Sequence, residues 1–185
     1  MVEARVHVAT DAAALLNPER SNEDRALYGL LHLAMALSHA KIGQEGEAWR
    51  AWDVADRTAT ALPDGWTHPW LIFGRCMVDA YAVTMLADLM KPTEAVRQAD
   101  QLHLRQMGSA TRRSFHLIET ARAFYLQREP VATVSLLRKA ETEAPETVQY
   151  NLFTRAAVNE LAEHGGTTVR DDARDLMGSL GLSPV

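Results

Sequence analysis

The chain has 185 residues, 47% of them apolar and 23% charged, a composition that supports a packed core and excludes a disordered tail. A formal net charge of −5 leaves no basic footprint for nucleic acid, and no apolar run approaches the roughly 18–20 residues needed to span a bilayer. Cys76 is the single cysteine, which excludes an internal disulfide and a cysteine-based zinc site and makes a reducing cytoplasm the expected location.

Alanine occurs 29 times against three isoleucines, and arginine outnumbers lysine sixteen to three, so helix formers dominate over sheet formers. Apolar residues recur at three- and four-residue spacing along almost the whole chain, the helical period. The amino terminus carries Glu3 and Asp11 within its apolar pattern and no basic start, unlike a signal peptide. A first helix is predicted over Val2–Leu16, closed by Asn17-Pro18. A second opens at Ser21, with Asp24 three positions on in capping-box fashion, and runs to Ile42 before Gly43. A third covers Glu47–Leu62 and stops at Pro63-Asp64-Gly65. The fourth is expected to start near Pro69, a first-turn proline, and to continue to Met90. A fifth spans Thr93–Arg105, a sixth Ser109–Gln127, and Pro130 opens a seventh that ends near Ala144-Pro145. An eighth follows to His164 before Gly165-Gly166, and Thr168 is placed to cap a ninth from Val169 to Leu180.

Eight or nine helices with short connections pack as antiparallel neighbours. The expectation is one all-α domain of stacked helical hairpins over residues 1–185. Residues 1–24 would form an N-terminal helix and connection, 25–164 the hairpins, and 165–185 a capping helix. Between Ser114 and Pro145 the pattern resembles a tetratricopeptide unit. Ala121 stands at the small position of the first helix, Phe124 one turn on, and Leu137, Ala140 and Pro145 follow; Thr133 departs from the usual alanine. A second copy runs from Gly29 to Ala61, with Ala36, Gly43, Ala48 and Ala55 at matching small positions and Trp52 at the bulky one. The middle copy is looser, with Ala95 and Ala99 in its second helix. Unit starts fall near Gly29, Cys76 and Ser114, uneven against a period of ~34 residues. The resemblance implies a right-handed superhelix.

Three phrases narrow it further: LHLAMALSHAKIGQEGEAWRAWDVADR, HPWLIFG and ARAFYLQREPVATVSLLRKAETEAPETVQYNLFTRAAVNELA. They resemble the C-terminal regulatory half of actinobacterial Xre-type helix-turn-helix transcriptional regulators, over roughly residues 25–163. The DNA-binding helices of that family have no counterpart in the 24 residues ahead. The resemblance implies a cytoplasmic sensory and interaction domain that binds a peptide or small-molecule effector in a concave groove and mediates dimerisation. It would make no direct nucleic-acid or membrane contact. A stand-alone adaptor that binds a protein partner is the alternative.

In such arrays the first helix of each hairpin lines the groove. That mapping selects Leu30, Leu33, Leu37 and Lys41, then Met77, Ala80 and Thr84, then Phe115, Ile118, Arg122 and Tyr125. Burial of the same face under neighbouring helices is the competing outcome. Trp66 and Trp70, beside His68 and Phe73, would wall a small-molecule pocket or simply fill the core. Arg75 precedes Asp79 by one turn; the pair is either a surface salt bridge or a groove arginine that grips a carboxylate. The candidate groove residues are therefore Trp70, Phe73, Arg75, Met77, Asp79, Phe115, Ile118, Arg122 and Tyr125. The seven histidines form no metal motif, and no cofactor is expected. Catalysis would require Cys76, a histidine and a carboxylate in one pocket, and the chain is not expected to be an enzyme.

Overall fold

The computed structural model describes residues 2–182 and is all-helical there; Met1 and the last residues of the expected capping segment, 183–185, lie outside the described residues. Ten α-helices follow one another: α1 (Val2–Ala14), α2 (Asn22–Lys41), α3 (Glu45–Thr60), α4 (Arg75–Asp88), α5 (Pro92–Ala99), α6 (Ala110–Leu126), α7 (Pro130–Glu143), α8 (Pro145–Gln149), α9 (Leu152–His164) and α10 (Thr167–Ser179). Helix α2 packs on α3, α4 on α5, α6 on α7 and α9 on α10, while α1 lies against α2. The first helices of the three leading hairpins touch in succession, α2 to α4 to α6, and each second helix touches the next first one, α3 to α4 and α5 to α6.

Local chemistry sets most boundaries. Ser21 accepts the Asp24 N–H at 3.0 Å and caps α2, and Ser109 accepts the Arg112 N–H at 3.3 Å and caps α6. Pro92, Pro130 and Pro145 occupy the first turns of α5, α7 and α8. The three leading hairpins then share one turn. Gly43 after α2, Met90 after α4 and Arg128 after α6 are all left-handed, with φ of 73°, 58° and 61°. In each, this residue's N–H bonds back to the carbonyl of Ala40, Ala87 or Tyr125, and the next N–H reaches His39, Leu86 or Phe124. That double bond pattern is the Schellman motif. It recurs at one constant offset from Gly29, Cys76 and Ser114, so the three hairpins are in register with one another despite their uneven spacing.

The unevenness comes from what separates the hairpins. The fourth helix does not begin at Pro69 but at Arg75, and residues 61–74 form an irregular loop. His68 is the cause: its Nδ1 accepts the N–H groups of Trp70 and Leu71 at 3.2 and 3.1 Å, and its own N–H donates to the Phe73 carbonyl at 3.0 Å. Ile72 is left-handed at φ 57°, which no helix tolerates. The loop is tied down by Phe73, fully buried where Gly29 leaves room; a Cβ on Gly29 would collide with its ring. The fifth helix likewise ends early, at Ala99, and a single tight turn at Leu104–Gln106 precedes α6. The expected eighth helix is two, because Asn151 accepts the Thr154 N–H at 2.9 Å and starts α9 afresh. Helix α10 begins behind Gly166 with no side-chain cap, so Thr168 lies inside it.

Helix α4 is the centre of the stack. From Met77 to Ala87 every residue except Asp79 is buried, and α2, α3, α5 and α6 all pack against it. A second core joins α6, α7, α9 and α10 through Ile118, Leu137, Val158 and Leu176, each at most 1% exposed. Trp49 and Trp52, edge to face at 5.5 Å, wedge α3 against the core around Met85. Arg128 is an exposed side chain in a backbone conformation that favours glycine by about 1 kcal/mol. Arg128→Gly is therefore expected to stabilise the chain by about 0.5–1 kcal/mol, read from urea midpoints; unchanged or reduced stability would contradict it.

Candidate functional site

The loop 61–74 does more than connect. Its first half turns tightly, with the Trp66 N–H on the Pro63 carbonyl at 2.9 Å and Gly65 left-handed at φ 71°. Pro63, Asp64, Gly65, Trp66 and Thr67 thereby form one wall of a cleft of about 520 Å³. Gln101, Leu102, His103 and Gln106, beyond α5, form the opposite wall. Ala59 and Thr60 from α3 and Arg75, Cys76 and Asp79 from α4 complete the lining. The volume lies in the range of small-molecule sites, roughly 300–1,000 Å³. Trp66 was one of the aromatics expected to wall a pocket, and Arg75 and Asp79 were candidate site residues; the structure brings these three together.

Of the two expected roles of Arg75, the structure shows the salt bridge to Asp79. Its Nη1 lies 2.7 Å from Asp56 Oδ1 and donates to Thr60 Oγ1 at 2.9 Å, while its Nε donates to Asp79 Oδ2 at 3.2 Å. Two carboxylates and a hydroxyl thus already share this guanidinium, which leaves it little unbalanced charge for a third carboxylate. Burial raises the Asp79 carboxyl above its usual range, Arg75 pulls it back down, and Asp56 adds to the rise. The cleft also joins Cys76, His103 and Asp79, the combination that catalysis would need. Yet Cys76 Sγ lies 3.9 Å from the backbone carbonyl of His103, and burial followed by the charge of Asp79 raises its thiol pKa. That disfavours the thiolate a nucleophile requires.

The remaining candidates scatter. Phe73, Met77 and Ile118 are at most 3% exposed and belong to the core, as do Leu33, Ala80 and Thr84, because α4 is covered on every side. Trp70 is 87% exposed and stands out from the loop, outside the cleft lining. Phe115 packs on Tyr81 with ring centroids 5.7 Å apart. Tyr125 donates its hydroxyl to Glu160, a bond that raises its pKa to about 12. Arg122 closes an internal network: Nη1 to Asp88 at 2.7 Å, Nη2 to Glu119 at 2.6 Å and to the Thr84 carbonyl at 3.3 Å. Sequence reasoning had no signal for Asp56, Thr60 or Gln106, since nothing local marks a residue that meets its partner across a hairpin. Among the described residues no group of three or more His, Cys, Asp or Glu is placed to hold a metal ion, and no helix is long and apolar enough to cross a membrane.

No family model matches this chain, and neither a curated protein nor a solved structure matches it.

Beside the Arg122 network, His116 is fully buried with neither ring nitrogen hydrogen-bonded, edge to face with Tyr81 at 4.8 Å. Burial, reinforced by the charge of Arg112, pushes its pKa down from 6.5 to about 3. Protonation thus favours the unfolded chain: the stability His116 allows is complete above pH 6.5 and is lost as pH falls toward 3. Glu119, raised chiefly by burial, has the opposite sign, its contribution being lost as pH rises. The comparison with His116→Leu isolates the histidine. Relative to that variant, the wild-type chain is expected to lose about 2 kcal/mol between pH 7.5 and pH 5 in urea unfolding. A constant difference across that range would show that folding leaves the proton affinity of His116 unchanged, and a gain at low pH that the folded chain holds it protonated.

Proposed function

We propose that this chain is a recognition module: the sensory half of a cytoplasmic transcriptional regulator, built from stacked helical hairpins, that takes up a small-molecule or peptide effector. The carrying observation is the cleft of about 520 Å³, which gathers polar side chains and Trp66 at the end of α4. The effector belongs in this cleft rather than on the α2–α4–α6 face, because the middle of that face is core. The link to transcription rests on the resemblance of three stretches of sequence to the regulatory half of Xre-type regulators. The state of Cys76 supports a binder rather than a catalyst.

The cleft opens at the N-terminal end of α4, and α4 is the helix that touches α2, α3, α5 and α6. A ligand that binds Arg75 or Asp79 acts on that end directly. It shifts the packing of the hairpins only by its difference in affinity between two arrangements; equal affinity shifts nothing. An adaptor role has one observation of its own. Tyr150 and Leu152, at the corner between α8 and α9, are 74% and 83% exposed, a surface that a protein partner would cover.

Native mass spectrometry of the chain purified gently from its own host tests both readings. Retention of a small molecule or peptide is expected, and Thr60→Trp, which fills the cleft from its exposed rim, is expected to abolish it. A bound protein released by Leu152→Asp but not by Thr60→Trp would establish the adaptor instead. A chain that is always bare would overturn both.

A further inference from the structure

The cleft has a sign. Among its lining residues Arg75 is the one permanent cation, and Asp56 and Asp79 already hold it at 2.7 and 3.2 Å. Asp64 stands on the loop wall with no side-chain hydrogen bond or ion pair to any described residue. The lining therefore carries one guanidinium and two carboxylates, Asp64 and Asp79, while Asp56, outside the lining, binds the same guanidinium. The first turn of α4 adds partial positive charge and has no capping side chain. At about half an elementary charge it does not cancel the carboxylates, so the excess stays negative. An anionic ligand at Arg75 would sit beside the carboxylates that already neutralise it.

The walls suit an organic cation in other ways. Trp66 lines the cleft, partly buried against the core, and a cation near an aromatic ring gains attraction that grows as water is excluded. The side chains of Gln101, His103 and Gln106 line the cleft and make no hydrogen bond to any described residue, leaving them available to orient a ligand. The Asp79 carboxyl is held above its usual range mainly by burial. A carboxylate in that condition is short of compensating charge, and a second cation beside it relieves the deficit.

We propose that the cleft between α3, α4 and the segment after α5 is a receptor for a small organic amine or guanidine, its cationic group drawn to Asp79 and Asp64 and its carbon frame laid against Trp66. This rests on the reading of the chain as an effector-binding module and names the chemical class of the effector.

Phenethylamine and the near-isosteric carboxylate hydrocinnamate, titrated separately into the isotope-labelled full chain at neutral pH, test the assignment. The signal to follow is the Trp66 indole N–H, identified by its loss in Trp66→Phe. The amine is expected to shift it saturably, and hydrocinnamate to leave it in place. Asp79→Asn is expected to weaken the amine about tenfold, whereas Arg75→Ala, which frees two carboxylates, is expected to strengthen it several-fold. If Asp79→Asn loses helicity, Asp64→Asn on the exposed turn serves instead. An equal or larger shift with hydrocinnamate overturns the proposal and leaves effector binding standing. So does an amine that moves nothing, or one indifferent to both charge changes. Failure of the module reading shows separately, as a chain that is bare from its host.

Discussion

Helix α4 carries small or apolar side chains around almost its whole circumference, and such a helix is stable only where other elements cover it on all sides. Four helices do so, two from its own neighbourhood in the chain and two from the flanking hairpins. Ala80, Ala82 and Ala87 let these helices come close, while Met77, Val83, Met85 and Leu86 fill the spaces between. The stack is therefore not a string of independent hairpins. Removing any one of α2, α3, α5 or α6 would bare side chains of α4 that are now buried.

Close covering has a polar cost at the α4–α6 contact. Asp88, Glu119 and Arg122 meet there with little exposure, and most of the buried polar atoms without a hydrogen bond belong to these two helices: Thr84 Oγ1, Asp88 Oδ2, Arg122 Nε and both nitrogens of His116. A buried ion network of this kind contributes little net stability, since desolvation offsets the attraction, but breaking it leaves an uncompensated charge. It consequently fixes how α6 sits on α4 more than how strongly. The hydroxyl of Tyr81, bonded to Arg112 at 2.7 Å, pins the other end of the same contact.

What the sequence reveals and what it hides divide along the same line, between local and tertiary causes. Ser21, Ser109, Gly43, Pro92 and Pro130 act on their own turn of chain, so the hairpins and their register are readable from residue type and spacing. Arg75 and Asp79 are readable as a pair for the same reason. Pro69 misleads, because the features that stop a helix there are the His68 ring, the left-handed Ile72 and a Phe73 side chain seated beside Gly29 of another helix. Met90 and Arg128 hide a turn that glycine would have announced. Arg122 reads as a groove residue from its helix face alone; its partner Asp88 lies on α4, and no spacing rule connects them.

The longest connection between helices among the described residues also walls the effector cleft, and the two facts have a common origin. Where helices follow closely, as at α6 and α7, the second fills the space beside the first. Between α3 and α4 the chain instead leaves the stack, turns at Gly65, and returns through Phe73. The loop is held at that return and by its own hydrogen bonds, so the wall carrying Asp64 and Trp66 stands off from the end of α4. The gap is bordered by the polar end of a helix whose remaining length is core. Charge placed in it acts on Arg75, which reaches Asp56 and Thr60 of α3, and on Asp79, which holds Arg75. A perturbation there meets the packing of the entire stack at the helix on which that packing is built.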